Sequence, residues 1–216
     1  MTRVRIDLFS SLDGFTAAPD PTSDNPMGDD WGPLTAAYAE TRTFREKVFG
    51  DTSGAGTTGL DDAHARAFFD GVGAEIMGAA MFGLHAHPED GWAGWWGDEP
   101  PFGCPVYVLT SSAPRAEISM AGGTTFHFRS GAIEEVLDEA TVAAGGLDVR
   151  VGGGIRTAQE FLRAGLVDDL HVQVAPIILG RGNSVWEGLR GLEHTHAVKS
   201  EVSESGTIHV TFTRKA

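Results

Sequence analysis

The chain has 216 residues, of which 41% are hydrophobic and 21% are charged, values typical of a globular protein that buries a sizeable core. Its formal net charge of −14 would repel a polyphosphate backbone, which excludes nucleic acid as an expected partner. The sequence has no apolar run long enough to span a bilayer and no signal-peptide core, so we expect no membrane partner. The single Cys104 excludes an intrachain disulfide. Together these features predict a cytoplasmic protein.

The hydrophobic periodicity predicts alternating strands and helices along the chain. It places helices at residues 34–49, 61–69, 133–144 and after residue 154, and strands at 4–9, 74–77, 105–109, 124–128, 148–151 and 170–174. Two final strands, 195–203 and 207–213, flank a short turn and predict an antiparallel β-hairpin. This order predicts an α/β fold with a mostly parallel central sheet and flanking helices, in one domain over residues 1–216.

Three consecutive glycines, Gly152, Gly153 and Gly154, separate a strand pattern from a helix pattern. This arrangement exposes backbone N–H groups at a helix N-terminus, where the helix dipole attracts phosphate. Glycine also lets the backbone approach a ligand closely. A plain tight turn is the alternative interpretation.

Three further loops follow predicted strands and carry candidate binding residues. After the second strand, Gly78 begins a short helix whose N-terminus could also face a phosphate. Thr110, Ser111 and Ser112 follow the strand at 105–109, where their hydroxyls suit either a phosphate or the capping of a turn. The segment 11–15 after the first strand is either a hairpin-like turn or a loop that folds over a ligand.

Two other groups of residues are prominent. His85 and His87, like His194 and His196, are spaced two apart, the second pair on one face of an expected strand. Neither pair is accompanied by the further ligands of a known site, so we predict no metal. Trp92, Trp95 and Trp96 pack under a long loop, line a pocket or meet a partner chain, and packing is the favoured interpretation.

The order of these motifs resembles the dihydrofolate reductase-like superfamily and, within it, the RibD C-terminal-domain family. The resemblance covers nearly the whole chain. It is carried by six segments, residues 11–15, 78–83, 108–112, 151–154, 165–170 and 175–182.

The resemblance implies a pyridine-nucleotide reductase that uses NADPH on a small heterocyclic or carbonyl substrate, with a riboflavin-pathway pyrimidine reductase as the named variant. It also implies a homodimer. Asp13 is the catalytic acid that the motif suggests, although a turn residue is the alternative. The implied cofactor-binding residues are Leu12, Gly14, Gly78, Ala79, Met81, Thr110, Ser111, Ser112, Gly152, Gly153, Gly154, Ile155 and Thr157.

One position departs from the family pattern. The family often has arginine after the glycine at position 78, and this chain has Ala79. An arginine there would bind a phosphate through two hydrogen bonds, so its loss leaves NADH and a flavin as alternative cofactors. It also favours an alternative function, a non-catalytic nucleotide- or flavin-binding module of the same fold. The substitutes that the sequence offers are Arg115, Arg129, Arg156 and Arg181.

Overall fold

The computed structural model describes residues 2–17, 22, 25, 27–111 and 115–216. The chain forms two compact units. Unit 1 comprises the described residues up to Ile6 together with Gly71–Asp168. Unit 2 comprises the described residues between Asp7 and Asp70 together with Asp169–Ala216. The single domain predicted over residues 1–216 stays a prediction.

The strands are β1 (Val4–Ser11), β2 (Phe15–Thr16), β3 (Val72–Gly78), β4 (Pro105–Leu109), β5 (Ile118–Ser119), β6 (Thr125–Arg129), β7 (Asp148–Gly153), β8 (Asp169–Ala175), β9 (Asn183–Ser184), β10 (His196–Val202) and β11 (Ile208–Arg214). The helices are α1 (Trp31–Ala39), α2 (Arg42–Phe49), α3 (Leu60–Phe69), α4 (Ala79–Phe82), α5 (Ile133–Ala143), α6 (Ile155–Arg163) and α7 (Leu192–Thr195).

Unit 1 is built on parallel strands in the order β1-β7-β3-β4-β6, with the short antiparallel strand β5 at the edge. One face of this sheet carries an apolar cluster that includes Met77, Val106 and Phe126. Trp92 and Trp96 pack against that cluster, as the favoured interpretation of the tryptophans predicts. The predicted parallel sheet is therefore present.

Helix α5 is amphipathic and covers β3, β4 and β7. Its buried residues, Ile133, Val136, Leu137 and Ala140, are those that the helical periodicity indicated. Helix α6 buries Phe161 and packs against β7 and β3. These two helices pack against the strands whose carboxyl ends form the candidate active site.

A buried ion pair lies between neighbouring strands of unit 1. Arg150 on β7 is paired in register with Glu75 on β3, and its Nε donates to Oε2 of Glu75 at 3.0 Å. Glu75 is 1% exposed and Arg150 is 3% exposed. Because a buried charge is costly without a partner, each side chain depends on the other.

Unit 2 has the strand order β10-β11-β8-β1, to which β1 contributes residues 7–11. Strands β10 and β11 form the predicted C-terminal antiparallel hairpin. The core of unit 2 includes Phe9, Leu34, Tyr38, Ala65 and Ala175. A separate small sheet pairs β2 with β9. The predicted fold class, a mostly parallel sheet with flanking helices and a terminal hairpin, is confirmed.

Two local predictions were wrong. The single helix expected over residues 34–49 is two helices, because the Thr41 side chain accepts a hydrogen bond from the Phe44 N–H and caps a new helix, α2. His194 and His196 do not share a strand face, since His194 lies in the short helix α7 and His196 begins β10. Capping by a hydroxyl overrode the apolar spacing at Thr41.

We expect Arg150→Leu to lower the free energy of unfolding by about 3–5 kcal/mol, because it leaves the Glu75 carboxylate buried without its partner. The matched control is Arg129→Leu, since Arg129 lies on β6 of the same unit and pairs with Glu139 in a partly exposed position. Loss of that pair should cost about 0–1 kcal/mol. Urea unfolding measures both, and equal losses would contradict the account.

Candidate active site

The carboxyl ends of three parallel strands of unit 1 meet at one edge of the sheet. In the strand register, Met77 of β3 is opposite Gly153 of β7, and Gly78 is opposite Leu109 of β4. The turn after each strand therefore begins at this edge, which is where ligands bind in open parallel sheets. The sequence motifs predict that the loops at residues 11–15, 78–81, 110–112 and 152–154 converge on one edge of the sheet. The strand register bears this out for the starts of the last three loops, and the placement of residues 11–15 beside them stays a prediction.

The glycines at this edge are enclosed so tightly that side chains would collide with neighbours. A Cβ on Gly78 would stand 2.5 Å from the Thr157 hydroxyl oxygen, and a Cβ on Gly152 would overlap the Glu75 carboxylate. Gly153 has a φ of +128° and faces the Met81 sulfur. Close packing against Thr157 and Glu75 accounts for glycine at positions 78 and 152, and the positive φ accounts for it at position 153.

Gly154 differs from these glycines because a Cβ there would meet nothing within 4 Å. It is the N-cap of α6 and supplies no side chain to cap the helix. The first turn of α6 contains no acidic residue, and Arg156 is exposed in it. The positive end of the helix dipole is therefore open to an anion. Ile155 and Thr157 belong to the same turn.

The loop after β4 and the helix after β3 match the predictions only in part. Thr110 follows β4 directly, and its N–H donates to the Arg129 carbonyl at 2.9 Å. Ser111 is exposed, and Ser112 lies outside the described residues. Helix α4, which carries Ala79 and Met81, is a single turn of four residues.

The four arginines that the sequence offers in place of a guanidinium at Ala79 have different surroundings. Arg129 pairs with Glu139 and Glu117, and Arg181 of unit 2 pairs with Asp30. Arg115 donates to the backbone carbonyl of Glu89. Arg156 stands next to the glycine turn in the chain and is exposed, so it is the best placed of the four candidates.

The loop after β1, with Leu12, Asp13 and Gly14, belongs to unit 2. There the Asp13 carboxylate accepts hydrogen bonds from the Ser11 hydroxyl at 2.5 Å and from the N–H groups of Leu179 and Gly180 at 3.1 and 2.7 Å. Gly14 lies against Trp186. These contacts join the loop to the segment after β8.

Hydrogen bonding favours the ionised form of Asp13. The Ser11 hydroxyl, followed by the N–H groups of Gly180 and Leu179, lowers the pKa of Asp13 below its ordinary value of 3.8. The carboxyl is therefore ionised at neutral pH and accepts hydrogen bonds without donating one. These contacts favour a role in holding the loop, and the catalytic role of Asp13 stays a prediction.

Comparison with known families decides the classification. The model of the RibD C-terminal domain family matches residues 2–209. The chain belongs to the RibD C-terminal domain family. Gly78 and the glycines at positions 152–154 therefore lie within the part of the chain that the family model matches.

Solved structures show the same fold at low sequence identity. A putative riboflavin biosynthesis protein from Shewanella sp. PV-4 is 20% identical over 100% of both chains, with a TM-score of 0.63. A pyrimidine reductase-like protein from Corynebacterium diphtheriae is 13% identical, covering 100% of this chain and 92% of its own, with a TM-score of 0.52.

A third solved structure with the same fold is a dihydrofolate reductase. Dihydrofolate reductase from Enterococcus faecalis, complexed with NADP(H) and RAB-propyl, is 12% identical, covering 99% of this chain and 97% of its own, with a TM-score of 0.51. The dihydrofolate reductase-like fold is thus confirmed. No curated protein matches the chain. Among the described residues, no helix has both the length and the apolarity to cross a membrane.

Sequence reasoning missed some residues that shape this site. The Glu75–Arg150 pair fills the space beside Gly152, yet its members stand 75 residues apart. Thr157 was assigned to the cofactor, and the structure also places its hydroxyl against Gly78. A charged residue inside an otherwise apolar strand pattern was the one signal that could have found Glu75.

We predict that Ser11→Ala raises the pKa of Asp13 toward its ordinary value of 3.8, because the Ser11 hydroxyl is the largest cause of the lowering. The matched control is Ser10→Ala, since Ser10 is equally buried but donates to the Ser11 carbonyl. Carboxyl-detected NMR over an acid titration measures the pKa. An unchanged Asp13 pKa in Ser11→Ala would show that the backbone N–H groups alone set it.

Proposed function

We propose that the chain is an NADPH-dependent reductase that transfers hydride to a small heterocyclic or carbonyl substrate. Membership of the RibD C-terminal domain family supports a reductase role. The variant we favour is a pyrimidine reductase of riboflavin biosynthesis, because two similar structures are described as riboflavin biosynthesis and pyrimidine reductase-like proteins. The similar dihydrofolate reductase is complexed with NADP(H), which supports the choice of cofactor.

The observation that carries this proposal is the uncapped N-terminus of α6 beside Gly154. It combines three properties that suit a pyrophosphate: free space at the glycine, no competing carboxylate in the first turn and an exposed arginine at position 156. Backbone N–H groups at such a position bind anions without a dedicated side chain. The residues present therefore fit a dinucleotide.

The cofactor would supply the hydride, and the protein would hold it in place. In this proposal the N–H groups of the first turn of α6 bind the pyrophosphate, with Gly154 permitting close approach. Met81, whose sulfur faces Gly153, would lie beside the bound cofactor. Thr110 and Ser111 would lie near the adenosine ribose and its 2′-phosphate.

The charge around the site bears on the choice between NADPH and NADH. Ala79 provides no guanidinium for a phosphate, and Arg129 is already paired with two carboxylates. Arg156 is the exposed cation next to the turn. We therefore propose that Arg156 makes the phosphate contact that the family often obtains from the position of Ala79, with NADH and flavin as the alternatives.

A non-catalytic nucleotide- or flavin-binding module is the second candidate function. The hydrogen bonds of Asp13 favour this function. Asp13 is the acid that the motif suggested, and its carboxylate is held as a hydrogen-bond acceptor. Thermal shift with NADPH, NADH and flavins, followed by NADPH oxidation over a substrate panel, separates the two. Turnover supports the reductase, binding without turnover supports the module, and failure to bind any nucleotide would contradict both.

Two further properties are proposals that follow from the family resemblance. We propose that the protein acts in the cytoplasm and that it forms a homodimer. Sedimentation velocity on the purified chain would measure the second property directly. A monomer at micromolar concentration would contradict it.

Gly154→Ala is the sharpest test of the glycine turn. A methyl group has room there in the folded protein. In the proposed complex it would take up space that the pyrophosphate needs at the start of α6. We expect roughly a tenfold loss of NADPH affinity, equivalent to about 1.4 kcal/mol, with an unchanged melting temperature. Titration calorimetry measures the affinity.

Gly32→Ala is the matched control, because Gly32 also has nothing within 4 Å of a Cβ but lies in α1 of unit 2. It should leave NADPH affinity unchanged. Gly153→Val is unsuitable, since the positive φ of Gly153 and its contact with Met81 would disturb the fold itself. Unchanged NADPH affinity in a folded Gly154→Ala protein would remove the turn from the binding site.

A further inference from the structure

Three histidines from separate elements of unit 2 meet in one cluster outside the proposed cofactor site. They are His64 on α3, His171 on β8 and His209 on β11, and a ligand atom of each lies within 4.8 Å of the others. The His209 side chain is fully buried, and the His171 side chain is 12% exposed. Imidazoles in contact at such a site can bind a cation together or hydrogen-bond to one another, and the geometry of the rings distinguishes these arrangements.

Two of these histidines form a hydrogen-bonded chain that ends in a carboxylate on each side. His171 Nδ1 lies 3.1 Å from Oδ1 of Asp7, and His209 Nε2 lies 2.8 Å from Oδ1 of Asp61. Between the rings, His171 Nε2 lies 3.0 Å from His209 Nδ1. All four ring nitrogens are therefore engaged in the chain Asp7–His171–His209–Asp61.

The ring geometry fits a hydrogen bond better than a shared metal ion. The rings of His171 and His209 are within 10° of parallel, and their centroids are 5.2 Å apart. His171 Nε2 and His209 Nδ1 are 3.0 Å apart, and the distance between the ring centroids is longer than this by about two ring radii. The two nitrogens therefore lie on the line that joins the ring centres and face each other, as in a hydrogen bond. A metal ion bound to both would lie off the axis of both lone pairs.

His64 lies in a different layer from that pair. Its ring is stacked on His209 at 4.0 Å and on His171 at 4.5 Å, within 7° and 4° of parallel. Because imidazole lone pairs lie in the plane of the ring, the His64 nitrogens do not point toward the contact between the other two. The third ring therefore covers the chain as a stacked neighbour.

Counting hydrogens gives the charge of the chain. Ionised carboxylates only accept, so each end contact takes one hydrogen from a ring nitrogen. The contact between His171 and His209 takes a third hydrogen, whereas two neutral imidazoles carry only two. We infer that His171 and His209 hold one additional proton in common at neutral pH, and that this single-proton site couples the stability of unit 2 to pH.

The surroundings act on the proton of this chain in both directions. Burial is the main cause that lowers the pKa of His209, the hydrogen bond to Asp61 opposes it, and the charge of His171 adds to the lowering, which disfavours a second proton on the pair. The carboxylates of Asp7 and Asp61 at the two ends of the chain favour a single positive charge between them. Burial, followed by the charges of His171 and His209, lowers the pKa of His64 to about 4. The titratable groups that face the cluster are Asp7 from β1, Tyr38 from α1, Asp61 from α3 and Glu201 from β10, the last of which pairs with Lys199.

The sign of the effect differs on the two sides of neutrality. Above about pH 6.5 unfolded histidines are neutral, so the folded chain holds one proton more and stability falls as pH rises. Below that pH unfolded His64 is protonated while folded His64 stays neutral down to about 4, so stability falls as pH falls. Stability should therefore pass through a maximum near neutral pH.

Nitrogen-15 NMR of histidine-labelled full-length protein tests the proton directly. At pH 7.5 we expect a proton signal correlated with ring nitrogens of both His171 and His209, and a neutral His64. Two neutral rings at the His171–His209 contact would overturn the inference. Stoichiometric binding of added zinc that removes the shared proton would also overturn it, in favour of a metal site.

Variants test the coupling to stability by urea unfolding at several pH values. In the wild type the unfolding constant should rise about tenfold per pH unit on the alkaline side, the slope of one proton. His171→Gln should abolish that alkaline dependence. His64→Gln should keep the alkaline dependence of the unfolding constant. On the acid side, this variant should make the change of the unfolding constant about tenfold smaller per pH unit.

His194→Gln is the matched control, since the His194 side chain is 82% exposed and lies outside the cluster. It should reproduce both limbs of the wild-type profile. An alkaline limb that persists in His171→Gln would overturn the inference. If that variant does not fold, the NMR measurement on the wild type decides the question.

Discussion

Side chains of neighbouring elements fill the space beside the glycines where β3 and β7 end, and the candidate active site depends on this constraint. Gly152 stands against the Glu75 carboxylate, and Gly78 stands against the Thr157 hydroxyl. The chain can then pass into α6 through Gly154 without a capping side chain. Close packing within unit 1 thus produces a helix N-terminus whose dipole and N–H groups are available to an anion.

The same edge shows how a family pattern can persist while one of its contacts changes. Ala79 packs against the apolar cluster of unit 1 and offers no charge, although α4 still begins directly after Gly78. Arg156 is the second residue of α6 and offers an exposed positive charge at the start of that helix. In the function proposed above, the backbone geometry of the family is kept and the source of positive charge is moved.

Local patterns in the sequence predicted much of this fold, because alternation and helical spacing report which faces are buried. The strand at Pro105–Leu109 and the buried face of α5 are examples. Contacts between residues distant in the chain were not predictable this way. The Glu75–Arg150 pair and the cluster of His64, His171 and His209 exist only once the strands are aligned, so spacing along the chain gave no signal for them. The histidine pairs that spacing did emphasise, at 85 and 87 and at 194 and 196, do not form such a cluster among the described residues.

Backbone NMR during titration with NADPH tests the central claim most directly, because it reports where the cofactor binds in the unmodified protein. The account predicts that the largest amide shifts fall at Gly154, Ile155, Arg156 and Thr157, with smaller ones at Gly78 and Thr110. Saturable binding whose shifts leave the first turn of α6 unperturbed would contradict it, as would the absence of any shift at millimolar NADPH.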